Sequence, residues 1–270
     1  MLFLTTMPLW LSGLLLIVPT TLLAMAGPYV VRRYVELSRL RTNNEIAGFK
    51  FATVGVLYAV LLAFAVIVVW EKFNEADNLV AKEAGAAATI YRLSHGINVE
   101  EGAAVSKALT AYLTAAITKD WPAMQLGKAS PVANEALNGI YSTVLKFHPA
   151  DNSGAILLAE LLRQVDLVSE ARRARLVTAN GIVPGIVWLV LFGGAAITIG
   201  FTFFFGAENL RAQSAMTGAL SVLMFAGLLT IVAIDHPFAG HVKVGPEALI
   251  AVVDDFGAAP RHRPRCSPLI

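Results

Sequence analysis

The chain has 270 residues, 56% hydrophobic and 15% charged, with a formal net charge of +2; an ordinary soluble domain carries about 25% charged residues. That charge is too small to argue for a nucleic-acid partner, and the basic residues flank apolar runs instead of forming a patch with interleaved aromatics. A single cysteine, Cys266, excludes an intrachain disulfide and any cysteine-built metal motif.

Four apolar stretches run through the chain: Leu9 to Val31, Gly48 to Trp70, Ile182 to Phe205 and Ala215 to Ile234. Each is about 20 to 24 residues long, which at 1.5 Å per residue crosses a hydrocarbon layer of roughly 30 Å. Lys50 is their one charged residue, near enough to an end for its stem to reach the headgroups. The first stretch contains "LLAMAG", similar to a signal-peptidase site, but no Lys or Arg precedes Leu9 and the apolar run continues to Val31. It is read as an uncleaved helix.

These stretches divide the chain into a first transmembrane hairpin (1–70), an extramembrane domain (71–181), a second hairpin (182–234) and a C-terminal tail (235–270). The tail includes a flexible basic segment from Arg261 to Arg265. The second crossing runs without proline into "EKFNEADNLVAKEAGAAATIYRL", predicting one helix from about Gly48 to Leu93, on the order of 70 Å long. Glu71, Glu75 and Asn78, followed by Lys82, form a polar stripe along it at helical spacing. That stripe fits a solvated face, or alternatively the lining of an aqueous vestibule or a cation site.

Apolar residues at Val105, Leu109, Tyr112, Leu113 and Ile117 predict a helix from Glu100 to Thr118, ending before "KDWPAM". Ser130 and Pro131 make an N-cap and N1 pair for a helix to about Phe147. A third helix opens at Ser153 and runs through Leu157, Leu161, Val165 and Val168 to "SEARRAR", leading into the third crossing with a kink at Pro184 and Gly185. Arg172, Arg173 and Arg175 read as interfacial anchors or lipid-phosphate ligands. No strand pattern appears, so the fold class is all-α: four transmembrane helices and a helical extramembrane domain.

Small residues recur on the crossings at helix-contact spacing: Gly55, Ala59 and Ala63; Gly181 and Gly185; Ala196 and Gly200; Ser214 and Gly218. They allow close helix approach, either within one chain or between subunits.

Asp235, His236 and Pro237 mark the exit of the fourth crossing, since proline cannot continue a helix. With His241 they could suggest a metal site, but no second cluster supplies further ligands, so Asp235 reads as a capping or pairing group. No enzyme signature survives: "QLGKAS" has Pro122 where a phosphate-binding loop needs glycine. No cofactor or catalytic residue is expected. No charge lies deep in any crossing, which disfavours ion-coupled pumps. Tyr58, Phe64 and Phe203 are candidate pore-lining residues, against a plain packing or lipid-facing role.

Several stretches together, "NNEIAGFKFATVGVLYAVLLAFAVIVVWEKF", "YRL", "DWPAM", "ARRARL", "GFTFFFG" and "IDHPFAGHVKVGPE", resemble the bacterial bestrophin-like membrane proteins, a family without an assigned biochemical function. The resemblance covers about Arg32 to Glu247. Bestrophins proper are pentameric anion channels with four membrane segments and a large helical cytosolic domain between the second and third. The resemblance thus implies a multi-pass protein of the bacterial inner membrane, surrounded by lipids and assembled as a homo-oligomer, acting as a passive pore for small anions. The alternative is a non-catalytic accessory or scaffold subunit of a larger membrane complex. A bestrophin-type calcium clasp needs an acidic run after the fourth crossing, where this sequence offers only Asp254 and Asp255. The weighting of basic residues in short loops leans towards a periplasmic large domain; the resemblance implies a cytosolic one.

Overall fold

A computed structural model describes residues 7–149 and 151–257, and no strand occurs among them. The basic tail from Arg261 to Arg265 and Cys266 lie outside the described residues. The helices are α1 (Leu9–Tyr34), α2 (Leu37–Thr42), α3 (Asn44–Ser94), α4 (Val99–Ala115), a π-helical turn (Ala116–Asp120), α5 (Trp121–Met124), α6 (Pro131–Val144), α7 (Asn152–Thr178), α8 (Gly185–Thr202), α9 (Leu210–Ile234) and α10 (Glu247–Gly257). Four of them, α1, α3, α8 and α9, are long and apolar enough to cross a membrane.

Two units emerge from the pattern of contacts: residues 7–74 with 181–243, and residues 75–180 with 244–257. The first contains the apolar crossings. Its core joins Tyr58 and Val69 of α3, Leu191 and Ala195 of α8, and Phe225, Leu228 and Ile231 of α9. Along α3 the inward residues are Tyr58, Leu62, Ala65, Val66, Val69 and Phe73, one narrow stripe at helical spacing. The rest of that crossing faces outward.

Close approach within this unit depends on absent side chains. A Cβ on Gly13 would meet Leu229 at 3.1 Å, one on Gly218 would meet Met25 at 2.8 Å, and one on Gly194 would meet the Tyr58 ring at 2.6 Å. Ser214 Oγ donates to the Met25 carbonyl at 2.7 Å. The Ser214 and Gly218 pair is therefore used inside the chain, joining α9 to α1. Gly55, Gly185 and Gly200 have nothing within 4 Å of a built Cβ, and Ala59, Ala63 and Ala196 are exposed.

The second unit has an ordinary interior. Val105, Leu109 and Leu113 of α4, Leu137, Ile140 and Val144 of α6, and Leu161, Val165 and Val168 of α7 are all buried, together with Ala76, Val80, Ala87 and Ile90 from the later part of α3. The α4 chain does not stop before "KDWPAM": it widens into the π turn and carries on through α5. That insertion turns Asp120 inward, where it is fully buried. Helix α7 is capped by Asp151, whose carboxylate accepts from Gly154 N at 2.7 Å, instead of opening at Ser153. It ends at Thr178 rather than leading continuously into the third crossing, because the left-handed backbone of Gly181 at φ +92° cannot continue a helix. Ser130 makes no side-chain cap on α6; its amide instead donates to Asp120 Oδ1 at 2.8 Å.

Candidate functional site

Three clusters of polar side chains are held by the fold: a clasp at the end of α9, a buried charge network in the second unit, and a basic loop end of the first unit. The clasp begins at Asp235, directly after α9. Its Oδ1 accepts from Ile182 N at 3.1 Å and Val183 N at 2.8 Å, and its own carbonyl accepts from Ile182 N at 3.1 Å. These amides precede α8, so Asp235 satisfies donors at the entry of the third crossing that would otherwise be unpaired beside a membrane.

His236 Nδ1 lies 3.0 Å from Asp235 Oδ2 without the alignment of a hydrogen bond. The other face of its ring rests on Gly181, where a Cβ would fall 2.9 Å from Nε2. Glycine is thus required there twice, by the close approach and by its positive φ. Pro237 is buried, and Ala239 N closes a turn onto the His236 carbonyl at 3.0 Å. His241 is exposed, and no group of three or more His, Cys, Asp or Glu side chains is placed to hold a metal among the described residues. Asp254 and Asp255 are exposed on α10.

The aromatic candidates separate. Tyr58 is 4% exposed, packed against Gly194 with its hydroxyl unpaired. Phe203 is half-buried and lies over Gly27. Phe64 is 63% exposed on the outward side of α3. Glu71, Glu75, Asn78 and Lys82 are all exposed, so the polar stripe along α3 is an open one.

In the second unit, Arg175 Nε and Nη2 bind Glu83 Oε2 and Oε1 at 2.8 and 3.0 Å, a two-pronged pairing in which both side chains are fully buried. Arg172 Nε and Nη2 bind Asp120 Oδ2 and Oδ1 at 2.7 and 3.2 Å. Arg175 Nη2 lies 3.6 Å from Asp120, linking the pairs, and its guanidinium stacks 4.4 Å from the Trp121 ring centre. Tyr112 Oη donates to Glu83 Oε1 at 2.5 Å. Two cations and two carboxylates balance, so the buried cluster carries no net charge.

Burial foremost, then the Glu83 charge, pushes the Tyr112 hydroxyl well above its ordinary pKa of 10.0. Burial opposes the charge on Arg175, but the Glu83 carboxylate outweighs it and holds the guanidinium above its usual value. Arg172 and Arg175 are therefore interior ion-pair members and not interfacial anchors; Arg173 alone of the three is exposed. The signal was present in the spacing. Leu161, Val165, Val168, Arg172 and Arg175 are one register at steps of four and three, as are Ala76, Val80, Glu83, Ala87 and Ile90. Opposite charges on the core register of two helices predict a buried pair.

At the loop end of the first unit, the α8–α9 loop is stapled to the α1–α3 linker. Asn44 Oδ1 accepts from Gly206 N at 2.8 Å, and Asn44 Nδ2 donates to the Gly206 carbonyl at 3.2 Å. Arg32 Nη1 donates to the Ala207 carbonyl at 2.8 Å, and Arg41 pairs with Glu208.

The class that these features define is an all-helical, multi-pass membrane protein with a helical extramembrane unit inserted between its second and third crossings. The bestrophin-like domain matches residues 18–249, and the chain belongs to that family. Its fold is similar to that of a bacterial bestrophin homologue from Klebsiella pneumoniae (TM-score 0.68, 16% identity, covering 90% of this chain and 100% of that one) and to a point-mutated form of a bestrophin homologue from that organism (0.68, 16%, covering 88% and 98%). It also resembles a structure described only as a membrane protein with a single substitution to alanine (0.67, 17%, covering 88% and 95%). No curated protein matches the chain.

Proposed function

We propose that the protein is a passive pore for small anions, assembled from several copies of this chain in the bacterial inner membrane. The observation that carries this reading is the outward face of α3: from Phe51 to Trp70 the crossing has no charged residue, and Gly55, Ala59, Ala63 and Phe64 stand clear of the chain's own core. A helix that is open over most of its circumference in one protomer can meet lipid, a second copy and a shared aqueous path. Membership of the bestrophin-like family supports the same reading, since bestrophins proper are anion channels. Phe64 lines the path in this proposal, its positive ring edge suited to a partly dehydrated anion. Tyr58 and Phe203 instead hold the helices that carry it.

The lack of charged residues deep within the crossings fits a pathway without a carrier or proton relay. Chloride flux into liposomes containing the purified protein tests the proposal. Flux that Phe64→Ala alters in rate or selectivity supports it; an intact homo-oligomer without flux overturns it. Co-purification with an unlike membrane protein at a fixed ratio would favour the accessory-subunit reading.

A further inference from the structure

We propose that the loop end of the first unit binds the phosphodiester headgroups of anionic phospholipids, a role independent of the pore reading. Segments 32–50 and 206–211 contain six cations, Arg32, Arg33, Arg39, Arg41, Lys50 and Arg211, against three carboxylates, Glu36, Glu45 and Glu208. The excess is three positive charges. The segments are distant in the chain but are drawn to one place by the Asn44–Gly206, Arg32–Ala207 and Arg41–Glu208 contacts. Gly206 approaches so closely that a Cβ there would lie 2.6 Å from Arg41 N.

The fold spends few of these charges internally. Glu208 pairs with Arg41, and Arg32 is directed to a neutral carbonyl. Arg33, Arg39, Lys50 and Arg211 are exposed and enter no ion pair among the described residues. On α2, Leu40 is buried while Arg39 and Arg41 on either side are exposed, so this one short helix turns its cations outward. Tyr34 at 81% exposure flanks the cluster, an amphipathic ring of the kind expected where hydrocarbon gives way to headgroups, and the apolar Phe49 beside Lys50 is 77% exposed. Cations held at that level meet phosphate oxygens, and a guanidinium can grip two at once. The position at the ends of membrane helices favours a lipid over a soluble acidic partner.

Native mass spectrometry of the intact protein in mild detergent, supplied with equal amounts of phosphatidylglycerol and phosphatidylcholine, tests the site. The expected result is a preference for retained phosphatidylglycerol of at least about fivefold, the order contributed by one basic residue beside an anionic surface. That preference is expected to shrink in R33Q/R39Q/K50Q, to persist in K107Q/K128Q/K146Q, and to fall in the wild type as added salt screens the charges. Equal retention of both lipids, a preference untouched by the triple loop substitution, or one lost equally in the control triple would overturn the proposal. Full competition by millimolar inorganic phosphate would mark a soluble-anion site instead and overturn the assignment to lipid. Should the loop variant fail to fold, a wild-type preference insensitive to salt would be sufficient to reject the site.

Discussion

The two units of this chain obey opposite rules about what is placed inside. In the extramembrane unit, charges are sunk into the core and matched in pairs, Glu83 with Arg175 and Asp120 with Arg172, while Glu75, Asn78 and Lys82 stand outside. In the membrane unit the outside is greasy, with Leu23 at 72% exposure, and the buried polar side chains within the crossings are uncharged, some bonded to nearby carbonyls and others, such as the Tyr58 and Ser221 hydroxyls, left unpaired. There Gln213 Nε2 donates to the Thr202 and Phe205 carbonyls at 3.1 and 2.8 Å, and Thr198 Oγ1 to the Gly194 carbonyl at 2.7 Å. Water accepts an exposed charge and repels exposed leucine; lipid does the reverse. Burial alone therefore does not identify a functional residue in such a protein. Arg175, the largest fully buried side chain among the described residues, is a structural cross-link, whereas exposed Phe64 and Arg33 are the residues with proposed roles.

The sharpest way to break this comparison is to strand a charge. Arg175→Met should lower stability by about 3 to 5 kcal/mol, because Glu83 is left buried without its partner; adding Glu83→Leu should recover a large part, measured by denaturant unfolding in detergent. If the single variant unfolds like wild type, the network is not interior. Leu161→Ala, in the fully buried core of the extramembrane unit, should cost about 2 to 5 kcal/mol. The chemically identical Leu23→Ala, at the 72% exposed Leu23 of α1, should stay within about 0.5 kcal/mol.

Gly181→Ala should cost about 1 to 3 kcal/mol from forcing a side chain into a left-handed backbone, and more as the new methyl meets His236. Gly185→Ala, with open space around it, serves as the control. Asp235→Ala, which removes acceptors for two amides, should cost about 0.5 to 2 kcal/mol. The smallest effect is in pH. Because the Tyr112 pKa is raised on folding, the neutral hydroxyl's contribution is fully present below pH 10 and is lost progressively above it. Tyr112→Phe should flatten that alkaline decline in a thermal-unfolding series, and an unchanged slope would show that Tyr112 does not drive it.

The membrane architecture was legible because a crossing needs a long run of apolar residues, and four such runs stand out against every other segment. The charge network was not legible from composition, because "SEARRAR" at the end of a helix looks the same whether its arginines meet headgroups or a partner carboxylate. Only the register shared with Leu161 and Val165 distinguishes the two. Asp120 was hidden for another reason: "KDWPAM" reads as a break, and the π turn that rotates the carboxylate inward leaves little trace in hydrophobic periodicity. Helix α10 was missed as well, since 11 residues after the last crossing carry too few turns to stand apart from a tail. At the exit motif, Asp235 was readable as a capping group from Pro237 alone, but its partners 52 and 53 positions earlier were not.

Those long intervals along the chain also set a timetable for synthesis. Glu83 emerges 92 residues before Arg175, a delay of roughly 5 to 20 seconds at ordinary elongation rates, so its carboxylate must wait hydrated until its counter-ion leaves the ribosome. The third crossing enters the bilayer with two bare amides that only the close of the fourth can cover. The nascent chain is thus obliged to stay loosely assembled until nearly all of it has been made, and a ribosome stalled shortly before Asp235 would present an unfinished bundle to quality-control proteases.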